Sequence, residues 1–261
     1  MLLPSHPLVQ FKCGDHICLF YRDEAVLAET LAAYLATGLR NGERCFCAQK
    51  SSFIPRLKQA LKRAGVDVPR EIMRGALDIH TEEEVYFADG DFDPESMMAL
   101  LERSIEQARA DGFTGFRTAG EMSWALKGIE GRPNGHCDQL IHYEKLVQAA
   151  FPGKTAIGLC QYPIHGFPSH VLNEILDSHR VTLEETMVGS NHSTLTIRSG
   201  GYLADIVTDR VNPGNAFHYV IQKSGDAEGL SWGVEPTIER AMMSSESILT
   251  DFGANRASSM R

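Results

Sequence analysis

The stretch Phe113-Thr114-Gly115-Phe116-Arg117-Thr118-Ala119-Gly120-Glu121-Met122-Ser123-Trp124 decides how this chain is read. It reads as an apolar strand over 113–116 that runs into a polar, glycine-punctuated turn carrying Arg117, Glu121 and Trp124. In open α/β sheets, ligands lie just beyond the carboxyl ends of the strands. A guanidinium, a carboxylate and an indole at such an edge suit a small-molecule pocket. The same residues also fit a plain strand-to-helix connection, with Arg117 paired to Glu121 and Trp124 in the core. Spacing alone does not choose between the two.

Working outward, the chain alternates strand and helix patterns. Upstream, 17–21 is a short apolar run, and Asp23 caps a helix with Val26, Leu27, Leu31, Tyr34, Leu35 and Leu39 at helical spacing, ended by Asn41-Gly42. A strand follows over 44–48. Ser51 or Ser52 opens a helix through Ile54, Leu57, Leu61 and Ala64 that Gly65 closes, and 76–80 is a third strand. Asp93-Pro94-Glu95 combines a cap, a proline at the first helical position and an acid, so a helix runs from there to Gly112. Downstream come a helix over 137–150, a doubly buried strand over 154–162, a helix over 168–178 and a strand over 180–187. This alternation predicts an α/β fold: a mainly parallel sheet with right-handed crossovers and helices on both faces.

The pattern changes after Gly189. Leu195 and Ile197, then Phe217, Tyr219 and Ile221, then Leu230, Trp232 and Val234 alternate with period two, and Pro236 opens a helix through Met242 and Ile248. The expected organisation is an α/β domain over 10–189, a small β-β-α appendage over 190–255 and a disordered tail over 256–261.

The chain has 261 residues, 43% hydrophobic and 23% charged, with net charge −9. A duplex-binding surface needs a basic stripe. The densest basic stretch, Arg56, Lys58, Lys62 and Arg63, reads as the wet face of a helix, so no direct nucleic-acid contact is expected. No apolar run approaches a membrane span, and the first residues lack the pattern of a signal peptide. The expected location is the cytoplasm, with the six cysteines as thiols.

Several stretches, in order, resemble the MEDS family, the sensory domain named for methanogens and methylotrophs. They are His16-Ile17-Cys18-Leu19-Phe20-Tyr21, Gly38-Leu39-Arg40-Asn41-Gly42-Glu43-Arg44-Cys45, Asp89-Gly90-Asp91-Phe92-Asp93, 115–124, Tyr143-Glu144, 156–162 and His179. The family occurs in a dichloromethane-responsive repressor and attached to signalling kinases. The resemblance implies a degenerate RecA-like P-loop fold and a sensor of small organic molecules rather than an enzyme. No cofactor is predicted, its identity being left unknown, and a signalling or transcription-regulatory protein is expected as partner. No helix-turn-helix or kinase module is evident in this chain, so the output step is not specified. A homodimer is left open.

The residues agree with a non-catalytic reading. A phosphate loop belongs between the first strand and first helix, where this chain has Tyr21-Arg22-Asp23-Glu24, without glycines and with two acids. Gly153-Lys154-Thr155 lacks the upstream glycine and precedes a strand, and Asp251-Phe252-Gly253 lacks every other kinase element. Glu121 and Glu144 could act as an acid/base pair in one cleft, or be one ion-paired and one solvated carboxylate. A nucleotide-binding switch or an enzyme using Glu121 is therefore the alternative function. A third reading is a metal protein. His16 and Cys18 share a strand face, as do Cys45 and Cys47, and would converge if their strands were neighbours. The bland reading makes these cysteines small apolar core residues. For ligand binding the expected residues are Tyr21, Arg117, Glu121, Trp124, Tyr143 and Glu144, against the alternative that Trp124 and Tyr143 only pack helices on the sheet. His80 and His179 fall near strand ends. Trp232, Met242 and Met243 offer a partner surface or simply pack within the chain.

Overall fold

The computed structural model describes residues 11, 13–127, 135–163 and 165–179, together with the backbone of five strands between 181 and 235. The chain divides into two compact units, Lys12–Arg180 and a second made of Met1–Phe11 with Val181–Arg261. The sequence reading placed its boundary at 189/190.

The first unit is an α/β layer structure. Its strands are β1 (His16–Tyr21), β2 (Arg44–Gln49), β3 (Leu77–Thr81), β4 (Phe116–Glu121) and β5 (Ala156–Pro163). All pair in parallel, in the order β1-β5-β4-β2-β3. Its helices are α1 (Glu24–Arg40), α2 (Ile54–Arg63), α3 (Val68–Met73), α4 (Glu82–Tyr86), α5 (Pro94–Ala110), α6 (Cys137–Ala150) and α7 (Ser169–Asp177). A 3-10 turn spans Ser123–Leu126.

The register sorts every strand residue onto one face. Cys18 pairs with Cys160, Cys160 with Gly120, and Gly120 with Ala48, so these four lie in one row. That face, with His16, Phe20, Phe116 and Tyr162, meets Leu101, Ile105, Leu140, Tyr143, Val147, Val171 and Ile175 from α5, α6 and α7. The opposite face carries Ile17, Leu19, Leu159, Ala119, Arg117, Cys45 and Cys47 and lies under α1. Twelve of the 17 residues of α1 are buried. Its Tyr34 hydroxyl donates to the carbonyls of Thr118 and Ile157, both at 3.1 Å. Gly38 permits this close approach: a Cβ there would stand 2.7 Å from the Arg117 side chain and from Cys45 Sγ.

Local chemistry explains the helix ends. Asp23 accepts hydrogen bonds from the backbone N–H groups of Ala25 and Val26, and Asp93 from that of Ser96. Two short helices escape the sequence pattern. α3 is capped by Asp67, and α4 by a Thr81/Glu84 capping box. α2 starts after Phe53 without a side-chain cap, not at Ser51 or Ser52. The largest correction concerns β4: the strand is Phe116–Glu121, so the segment read as a polar turn is the strand itself. Helices cover both faces of this central strand, and burial with paired polar groups overrides the apparent polarity.

The second unit is an antiparallel meander of β6 (Val181–Val188), β7 (His192–Ser199), β8 (Tyr202–Asp209), β9 (Phe217–Lys223) and β10 (Gly229–Glu235). The period-two runs expected beyond 190 are β7, β9 and β10, and β8 joins them. The helix expected after Pro236, with Met242 and Met243, the tail over 256–261, and the side chain of Trp232 lie outside the described residues. No helix among the described residues is long and apolar enough to cross a membrane.

Candidate functional site

Four parallel strands end side by side with polar residues: Tyr21 on β1, Gln161 on β5, Glu121 on β4 and Gln49 on β2. They converge at the carboxyl rim of the sheet. The Tyr21 hydroxyl donates to Glu121 Oε1 at 2.8 Å, and Ser123 Oγ donates to Glu121 Oε2 at 2.7 Å. Lys50 Nζ lies 3.6 Å from Glu121 Oε1 and 3.4 Å from the Tyr21 hydroxyl. Gln49 Nε2 donates to Gln161 Oε1 at 3.0 Å, whereas Gln49 Oε1 and Gln161 Nε2, both buried, have no partner. Unpaired buried polar atoms are costly, so a native chain usually keeps them for a reason.

Burial raises the Glu121 pKa above the ordinary carboxylate value, although Lys50, Ser123 and Tyr21 oppose the shift. Burial beside Glu121 likewise raises the Tyr21 phenol. A carboxyl with a raised folded-state pKa binds its proton at a pH where the unfolded chain has released it. Stability therefore falls as pH rises through the window that opens at the unfolded glutamate value, about 4.3. Glu121→Gln is expected to flatten that slope. Melting temperature against pH for the two proteins measures it; parallel curves would show that folding does not shift the Glu121 pKa.

The turn from β1 into α1 is where a nucleotide fold holds phosphate. Here the first N–H groups of α1 are taken by the Asp23 carboxylate, at 2.6 and 3.3 Å. That internal anion satisfies the helix end, and its charge repels a phosphate.

The other expected ligand residues go elsewhere. Arg117, at the opposite end of β4 from Glu121, makes a two-pronged pair with Glu43 at 2.5 and 3.1 Å and sits over the Tyr34 ring, 4.6 Å from its centroid. Trp124 is wholly buried against Tyr86, Phe87, Phe92 and His136. Tyr143 packs edge-on against Phe92. His80 stacks on Phe46. Glu144 reaches from α6 to the face opposite Glu121, so the two glutamates do not share a cleft. Sequence reasoning missed Lys50, Ser123, Gln49 and Gln161 at the rim; their signal is a polar residue at or just past a strand end.

Glu144 belongs to a second constellation with His16, Cys160 and His179. All four are buried, and one donor atom of each lies within 4.8 Å of the others. Glu144 Oε2 is 3.0 Å from His16 Nε2 and 3.3 Å from His179 Nε2, and His16 Nε2 is 3.4 Å from Cys160 Sγ. Burial penalises the Glu144 carboxylate, yet the two imidazoles hold its pKa below the ordinary range. Burial, then the neighbouring His179, lowers that of His16.

The convergence of His16 and Cys18 with Cys45 and Cys47 does not occur. β5 and β4 separate β1 from β2, and the two pairs face opposite sides of the sheet. All six cysteines are free thiols. Burial pushes the Cys47 pKa up to about 12, which suits an unreactive core residue.

A family model described as MEDS, the methanogen/methylotroph, DcmR sensory domain, matches residues 15–180. The transcriptional repressor DcmR of Methylorubrum extorquens is 26% identical over 168 residues, 64% of this chain and 59% of the repressor. The chain thus spans about three fifths of that curated relative's length. A crystal structure of a KaiC-like protein from the hyperthermophilic archaeon Pyrococcus horikoshii OT3 is similar at 14% identity and a TM-score of 0.49. That match covers 75% of this chain and 86% of the other.

Proposed function

Because the chain belongs to the MEDS family of sensory domains, we propose that its first unit binds a small organic molecule at the carboxyl rim of the parallel sheet. Tyr21 and Glu121 anchor the guest, Lys50 and Ser123 orient Glu121, and Gln49 and Gln161 offer their unpaired amide atoms. The observation that carries this reading is a buried carboxyl held by neighbouring donors beside two unpartnered buried amide atoms. Such a set favours a compact guest with its own hydrogen-bonding group. Arg117, paired with Glu43, fixes the strand that carries Glu121. Binding passes to a signalling or transcription-regulatory protein, the role that the repressor relative supports. A ligand shifts such a partner only by its unequal affinity for two states. The protein acts in the cytoplasm without catalysis.

The test is a thermal-shift panel of short alcohols, carboxylic acids, amines and halogenated one- to four-carbon compounds, with Mg²⁺-ATP as a counter-probe. A guest at about 100 times its Kd stabilises by about 2.7 kcal/mol. Glu121→Ala is expected to abolish that shift while leaving the circular dichroism unchanged. An equal shift in the variant removes Glu121 from the site. A clear shift with Mg²⁺-ATP replaces this reading with a nucleotide switch.

A further inference from the structure

We propose that His16, Glu144, Cys160 and His179 form a closed four-ligand site for a divalent first-row metal ion, with zinc as the best fit. The residues come from the start of β1, the middle of α6, the body of β5 and the turn after α7. The site lies on the sheet face opposite the rim and stands or falls independently of the ligand reading.

Geometry carries the argument. Donor separations of 3.0, 3.3 and 3.4 Å are close to the edges of a tetrahedron around zinc. Metal–ligand bonds of about 2.0–2.3 Å give edges of roughly 3.3–3.7 Å. Nitrogen, carboxylate oxygen and sulfur are the donor types zinc takes. The contacts are also poor hydrogen bonds: Glu144 Oε2 and His179 Nε2 have no hydrogen-bond partner, despite lying 3.3 Å apart.

The outer atoms of the cluster are tied back. The Tyr162 hydroxyl donates to Glu144 Oε1 at 2.6 Å, which leaves Oε2 for the centre. His179 Nδ1 lies 2.6 Å from the Ile175 carbonyl oxygen. A carbonyl can only accept, so Nδ1 carries a proton, and in the neutral form of the ring the Nε2 lone pair turns inward. Such second contacts fix the orientation of metal-binding imidazoles and carboxylates. Gln148 lies against His16, and neither His16 Nδ1 nor Gln148 Oε1 has another partner.

Charge supports the same reading. The two imidazoles lie 4.0 Å apart between centroids, so two protonated rings would repel each other in a dry interior. With no cation between them, a neutral His179 aims its Nε2 lone pair at the Glu144 carboxylate. A divalent ion with one carboxylate and one thiolate sums to zero, the least costly charge state for a buried cluster. Binding deprotonates Cys160 and releases that proton to solvent.

The full chain is stripped with a chelator, reloaded with Zn²⁺, passed through gel filtration and assayed for metal. About one zinc per chain is expected for a closed site. Loading with Co²⁺ should give a tetrahedral visible spectrum with a thiolate-to-cobalt band. Cys160→Ser should lose that band, and His179→Ala should lose metal retention. Tyr162→Phe, which touches no metal, should weaken affinity about 10–100-fold with unchanged circular dichroism. If the ligand variants fail to fold, wild-type stoichiometry and Tyr162→Phe decide. A wild-type chain that retains no zinc overturns the proposal. So does retention unaltered in Cys160→Ser and His179→Ala, or affinity unaltered in Tyr162→Phe.

Discussion

Trp124→Ala is expected to lower the unfolding free energy by about 3–5 kcal/mol. The indole has no solvent exposure. Its centroid lies 4.8 Å from Tyr86, 4.3 Å from Phe92, 5.6 Å from Phe87 and 5.9 Å from His136. Truncation removes its burial and leaves a void among rings already held by their own packing. One feature tempers the loss: the indole Nε1 has no hydrogen-bond acceptor, so its removal also relieves an unpaired buried donor. The lower half of the range is therefore expected. Against a typical domain stability of about 5–15 kcal/mol, that is a large share. Urea unfolding followed by circular dichroism should show a lower midpoint with an unchanged slope. A cost under about 1 kcal/mol would mean that the ring lines a void instead of filling the core.

Glu43→Ala is expected to cost about 3–5 kcal/mol, although it removes no apolar core residue. Arg117 is 4% exposed and its partner Glu43 12%. A guanidinium stays charged at any accessible pH, so losing Glu43 strands a buried cation with only the Tyr34 ring for company. The pair as a whole contributes much less than either half alone costs. Glu43→Ala combined with Arg117→Met should therefore recover most of the lost stability, since the apolar chain fills the lane beside Gly38. A double variant as unstable as the single one would show that the guanidinium acts through packing and not charge.

These outcomes bear on what the sequence could reveal. α1 and α5 were legible because capping chemistry is local: Asp23 and Asp93-Pro94 mark their starts within a residue. α6 was legible from period alone. β4 was not, because a strand covered on both faces loses its alternation and its paired Arg117 reads as surface. That single slip put Arg117 and Glu121 in one turn. Four residues of extended chain, roughly 13 Å, hold them apart.

The rim was half visible, through Tyr21 and Glu121, since strand ends can be read from composition. Strand order cannot, and it separates His16 and Cys18 from Cys45 and Cys47. The same order brings His16 beside β5, where Gly158 is its register partner and Cys160 lies two residues on. No spacing motif links positions 16, 144, 160 and 179. The only local hint was a histidine opening an apolar strand.

The Asp23 cap also sets the terms for any anion at this helix. Its carboxylate occupies the N–H groups of Ala25 and Val26, so an incoming anion would have to displace a covalently tethered one.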